Sequence, residues 1–259
     1  MKGKRIILWM LICIMLLLVW PAADASAAEP ELRGLSIGYG DDDIVGDGLE
    51  GTYYNNADLA ADLFTQAGFD RVEKRMAPTA DELLLALEGV FGNSSESDRH
   101  YIYISVPCDT LNGRDSVLVL PDGTGYGTDV LLAEDFYRAL MDLPGRFTVI
   151  LDCNYAGGFL PTPLAVPGEN SISIVDGNET AAESPEEKIT VLYSTASDEV
   201  MAVAEDADGS RGAFSAHLAQ AYLCGMLPKG NVTVKELYGY LQRESMGAAA
   251  GYWGNGAMA

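Results

Sequence analysis

Basic side chains are scarce in this chain. Sixteen Lys and Arg stand against 38 Asp and Glu in 259 residues, a formal charge of -22. Such a surface repels phosphate backbones and anionic lipid heads, which argues against nucleic acid as a partner. Histidine is scarcer, with only His100 and His217, so any chemistry that needs an imidazole has two positions to draw on. No internal repeat recurs at a fixed period, which removes solenoids and propellers. The length suits one sizeable domain, and nothing marks a second.

The clearest local signal is at the start. Lys2, Lys4 and Arg5 precede an apolar run from Ile6 to Trp20, followed by Pro21 and the small residues Ala25-Ser26-Ala27. The pattern predicts a secretory signal peptide over residues 1–27, too short for a comfortable membrane span, and a domain over residues 28–259. The expected location is secreted or extracytoplasmic, with no membrane attachment after cleavage. The remaining chain has 13 Lys and Arg against 37 Asp and Glu, a charge of -24. That charge favours solubility, association with cations and attraction of basic peptides.

Of four cysteines, Cys108, Cys153 and Cys224 lie beyond this leader. An odd number outside the cytoplasm predicts one disulfide and one buried or reactive thiol. Cys224 sits in the apolar helical stretch "AHLAQAYLCGML" and reads as a core residue.

From Leu35 onward apolar strands alternate with helices, the signature of an α/β fold with a mostly parallel central sheet and helices on both faces. "LRGLSIGYG", "DRVEKR", "HYIYISVP", "DSVLVLPDG", "FTVILD" and "ITVLYSTAS" read as strands. "NNADLAADLFTQAGF" reads as a helix closed by Gly68, and Thr79 with Glu82 forms a capping box opening "ADELLLALEGVF". Further helices are expected from about Glu134 to Leu140, over "RGAFSAHLAQAYLCG", and over "VKELYGYLQRE" with Thr233 and Glu236 at its start. Residues 159–188 are rich in Pro, Gly, Ser and Glu and read as a long functional or disordered loop, open to nicking.

In open parallel sheets, reactive groups collect beyond the carboxyl ends of central strands. Two such ends, "YIYISVPCD" and "VILDCNYAGG", together with "LSIGYG", "LEGTYYNNADLAADLFTQAGF", "YSTASDEVMAVAE" and "GSRGAFSAHL", resemble in order and spacing the caspase and metacaspase family of cysteine peptidases. The resemblance covers about residues 34–245 and implies the caspase-like three-layer sandwich. Members carry S-G-H-G, supplying the base, and D-x-C-x-S-G, supplying the nucleophile. Matched residue by residue, Ser105 takes the serine of the first motif, Pro107 the histidine and Cys108 the last glycine. Asp152 keeps the aspartate of the second, Cys153 takes the variable position and Asn154 the cysteine.

Both dyad positions are therefore substituted. Proline cannot act as a base, and an asparagine amide is a very poor nucleophile. Cys153 is the fallback nucleophile, but alternation along a strand turns it away from the cleft unless a bulge intervenes. His100 is expected at the far end of its strand and His217 on a helix face, neither serving as base. On neighbouring strands of the implied sheet, Cys108 and Cys153 are positioned for a disulfide; two unrelated buried thiols are the alternative. The retained Asp152 and Ser105 are the candidate substrate-binding residues. The resemblance implies that Asp152 lines a pocket for arginine or lysine, whereas the residues alone equally allow it to accept backbone N–H groups from the next turn. No cofactor or metal is expected; calcium is the one ion to weigh, at "GDDDIVGDGLEG" or "EDADGSRG", neither with EF-hand spacing.

The resulting expectation is a secreted pseudopeptidase that binds peptide or protein, with basic residues favoured. An active Arg/Lys-directed endopeptidase with a rearranged site, and a structural or regulatory partner domain, are the alternatives.

Overall fold

The computed structural model describes residues 29–41, 46–111, 115–161, 185–206, 209–223, 234–244 and 251–253. The predicted leader, most of the long loop, Cys224 and Thr233 lie outside them. A six-stranded sheet forms the centre. It comprises β1 (Leu32–Gly38), β2 (Arg71–Met76), β3 (Arg99–Ser105), β7 (Arg146–Leu151), β8 (Ile189–Tyr193) and β11 (Gly251–Trp253), in the order β11-β8-β7-β3-β1-β2. All neighbours pair in parallel except β11, which runs antiparallel to β8. A smaller antiparallel sheet holds β4 (Cys108–Leu111), β5 (Asp115–Pro121) and β6 (Thr128–Leu132), and β9 (Val203–Asp206) pairs with β10 (Gly209–Gly212) as a hairpin.

Parallel neighbours need long crossovers, and the helices supply them. They are α1 (Glu50–Gln66), α2 (Ala80–Phe91), α3 (Ala133–Met141), a single turn α4 (Pro185–Lys188), α5 (Ala213–Leu223) and α6 (Val234–Glu244). The boundaries follow local chemistry. The Thr79 hydroxyl accepts from the Glu82 N–H while the Glu82 carboxylate accepts from the Thr79 N–H, so the capping box forms as expected. Helix α1 begins five residues earlier than its apolar pattern suggests. Asp47 accepts from the Leu49 N–H and from the Tyr53 hydroxyl, which fixes the first turn. Gly68, with φ of +80°, follows the end of α1 in the left-handed region where a side chain would be strained.

Strand alternation divides the core in two. Leu35, Ile37, Ile102, Ile104, Val149, Leu151 and Val191 face α2 and α3, meeting Leu83, Leu87, Phe136 and Leu140. Tyr103, Ile150 and Leu192 face the other way, toward Phe64 of α1, Phe214 and Leu218 of α5 and Leu237 and Leu241 of α6. Both faces of the central strands are covered, so β7 reads from Phe147 to Leu151 as an apolar run interrupted only by Thr148. Truncating one fully buried leucine, such as Leu83, costs about 2–5 kcal/mol.

Candidate functional site

The strand order reverses between β1 and β3, the place in an open sheet where a crevice forms beyond the carboxyl ends. Ile104 stands opposite Leu151 in the β3–β7 register, and the Asp152 N–H bonds the Ile104 carbonyl at 2.9 Å. Residues 105–108 and 152–154 therefore leave the sheet side by side. The inward faces then alternate: Ser105 and Asp152 join the α1 and α5 side, while Val106 and Cys153 join the α2 and α3 side.

Asp152 is fully buried at the centre of a polar cluster. Its Oδ2 accepts from Asn56 Nδ2 of α1 at 3.2 Å, from the Tyr103 hydroxyl at 3.0 Å and from the Ser215 hydroxyl of α5. Ser105 donates to the Asp152 carbonyl at 2.9 Å and accepts from Asn56 at 3.1 Å. The other carboxylate oxygen, Oδ1, is buried without a hydrogen-bond partner, and so is the hydroxyl of Ser194. Burial pushes the Asp152 pKa up, and the hydroxyls of Ser215 and Tyr103, with that of Ser194 close by, offset part of the rise. The carboxylate thus serves neither as a cap for the following turn nor as an open anion; it waits behind a lining.

That lining is supplied by Glu199 to Met201 and by Ser210 to Gly212. The Tyr155 N–H bonds the Glu199 carbonyl, the Met201 N–H bonds Asn154 Oδ1 at 2.7 Å, and the Gly212 N–H bonds Asn56 Oδ1 at 2.9 Å. Asn55 and Thr52 hold Ser210 from the other side. Gly212 passes so close that a Cβ there would lie 2.8 Å from Asp152 Oδ2. A cavity of about 170 Å³ remains, lined by Ser194, Thr195, Glu199, Met201, Ala213 and Phe214 among others.

Asn154, at the expected nucleophile position, is buried, and its Nδ2 also donates to the Tyr53 hydroxyl at 3.4 Å. Pro107, at the expected base position, is buried, and its carbonyl accepts from the Val119 N–H. Cys153 turns away from the cleft as alternation predicts; its Sγ lies 2.9 Å from that of Cys108, and both are free, buried thiols. The hydrogen bond to Cys108 and burial raise the Cys153 pKa, so no ready thiolate exists there.

His100 lies at the other end of its strand from these groups. His100 is enclosed between Phe91 and Phe147 at the amino end of β3, with Nε2 2.9 Å from the Ser94 hydroxyl. Burial, with Arg33 nearby, lowers its pKa to about 4. His217 lies on α5, its Nδ1 buried without a partner. Among the described residues, no three His, Cys, Asp or Glu are grouped to hold a metal ion. Residues 42–45 and 207–208 of the two acidic stretches lie outside the described residues.

The sequence reading named Asp152 and Ser105; it did not name Asn56, Tyr103, Ser215 and Ser194, which the structure groups around Asp152. These come from α1, β3, α5 and the residue after β8, and no local spacing links them; each lies within a stretch quoted for the resemblance, but no motif there singled it out.

No family model matches the chain, and no curated protein matches it. Among solved structures, the protein GSU0716 of Geobacter sulfurreducens is similar with a TM-score of 0.57 and 15% identity, over 86% of this chain and 93% of its own, a likeness of fold alone. Caspase-1 from Spodoptera frugiperda gives a TM-score of 0.47 and 9% identity, over 83% of this chain and 75% of its own. The precursor, pro-sf-caspase-1, gives 0.47 and 11%, over 83% and 80%. At such distance none of these transfers a residue's role to this chain.

Proposed function

We propose that the chain is an exported caspase-like domain that binds peptide or protein without cleaving it. The observation that carries this reading is Asn154. Where the resemblance expects a nucleophile stands a buried amide, its oxygen bonded to the Met201 N–H and its nitrogen to the Tyr53 hydroxyl. Pro107 offers no base, and Cys153 faces the opposite side of the sheet. Thiol catalysis needs a thiolate beside an imidazole, and neither is at hand.

Binding has its own support. Ser194, whose hydroxyl is buried without a partner, lines the cavity with Glu199, and Asp152, whose Oδ1 is likewise unpartnered, lies behind Ser194. A lysine or arginine head admitted past Met201 would satisfy these acceptors, and the acidic surface would raise its encounter rate.

Incubating the mature protein with a diverse peptide library, with and without calcium and reductant, tests both halves by mass spectrometry. The expected result is retention of Arg- and Lys-bearing peptides, weakened by salt and by Asp152→Asn, and no cleavage. Turnover abolished by Cys153→Ala would replace this reading with the endopeptidase. Absence of any retention would leave a structural or regulatory domain. Export is checked on the same preparation, whose mass should begin within one or two residues of Ala28; a retained Met1 would refute it.

A further inference from the structure

The structure assigns Cys108 and Cys153 as a disulfide-forming pair that joins the small β4–β5–β6 sheet to the carboxyl end of β7. The two sulfurs stand 2.9 Å apart, although their residues are 45 positions apart in sequence. Slight side-chain rotation brings them to the bonding distance of about 2.05 Å. Cys108 opens β4, opposite Leu118 of β5, and Cys153 lies two residues beyond Leu151, the last of β7. Without the bond, the small sheet is tied to the region beyond β7 by packing, chiefly of Leu118, Leu120 and Leu131, and by the Ser116 hydroxyl, which donates to the Tyr155 carbonyl at 2.8 Å.

The bond would also fix the site's frame. Pro107 precedes Cys108 and Asn154 follows Cys153, so one cross-link sets the spacing of both turns that border the cleft. An enzyme could not place a rigid bridge between the turns carrying its base and nucleophile without constraining them; a binding site gains by that constraint.

Chemically, each thiol loses a proton, two electrons pass to an oxidant, and one S–S bond forms. A small disulfide such as oxidised glutathione supplies the oxidant: its S–S bond breaks and two glutathione thiols leave. Because both sulfurs are buried, the exchange belongs to folding, before β4 packs onto β7, and the finished bond is shielded from reductant. The inference goes beyond the binding reading and stands without it.

The test refolds reduced mature protein with oxidised glutathione, then alkylates it under denaturing conditions and maps the peptides. One Cys108–Cys153 cross-linked pair should appear, with Cys224 the sole alkylated cysteine, and Cys224→Ser should keep the cross-link. The oxidised protein should unfold at a temperature higher by on the order of 10 °C than the same protein reduced. Alkylation of both Cys108 and Cys153 after oxidative refolding, or a cross-link that includes Cys224, would overturn the assignment.

Discussion

Replacing Asp152 by asparagine asks whether burial or hydrogen bonding governs the carboxyl at the centre of the site. Three donors converge on Oδ2, from Asn56, Tyr103 and Ser215, while Oδ1 has none. Asparagine keeps an oxygen for the three donors and places an amide N–H beside the unpartnered Ser194 hydroxyl. Leaving a buried acceptor unsatisfied costs about 1–3 kcal/mol, and the variant recovers a gain of that order at pH 7. Burial raises the folded-state pKa above the ordinary 3.8. The folded protein therefore holds its proton to higher pH than the unfolded chain, and stability declines as pH climbs from the unfolded value through the folded one. Asparagine has no such decline, so its advantage should be present at pH 7 and shrink as pH falls toward 3. Urea unfolding of both proteins between pH 3 and 8 measures this, and each kcal/mol should also appear as about 2–4 °C in Tm. A variant less stable than the wild type at pH 7 would show that the hydrogen bonds outweigh desolvation, and would refute the reasoning. Loss of peptide retention together with gained stability would mark the carboxylate as kept for recognition at a stability cost.

His100 gives a second pH signature of opposite sign. Its folded-state pKa is lowered from 6.5 to about 4, so the stability it allows is complete above 6.5 and is lost as pH falls toward 4, by on the order of 3 kcal/mol. The wild-type unfolding curve should show that loss, His100→Gln should flatten it, and an unchanged profile would refute the assignment. Gly212→Ala should destabilise by about 1–3 kcal/mol, because its Cβ would lie 2.8 Å from Asp152 Oδ2 and 3.0 Å from Asn56 Nδ2. Unaltered denaturation midpoints would show that the lining yields freely.

The central strands were legible because both their faces are covered: an apolar run as short as Phe147 to Leu151, bounded by turn residues, fits a strand buried on both sides. The α2 start was legible because its cap is local. By contrast β4 and β6 are short and half exposed, and the β9–β10 hairpin consists of residues with little strand preference, such as Glu205, Asp206 and Gly209. Its acidic, glycine-rich stretch reads as a turn or a cation site. What makes it paired backbone is distant: α1, through Thr52, Asn55 and Asn56, takes hold of Ser210 and Gly212. The orientation of Cys153 could be read from the two-residue period of a strand. The partners of Asp152 could not, since Asn56, Tyr103 and Ser215 lie 96, 49 and 63 positions away.

The exposed margin of the main sheet has a consequence of its own. Strand β2 pairs with β1 on one side and, among the described residues, with nothing on the other. Its sequence, Arg71-Val72-Glu73-Lys74-Arg75-Met76, is nearly palindromic in charge, with Arg71 and Arg75 each bridged to Glu73. Were two molecules to meet antiparallel along this margin about Glu73, Arg71 would face Arg75 of the other copy and glutamate would face glutamate. Like charges directly opposite each other repel, so the strand carries an instruction against joining its own kind. In that pairing the margin resists self-association, although β2 has no strand neighbour on that side among the described residues.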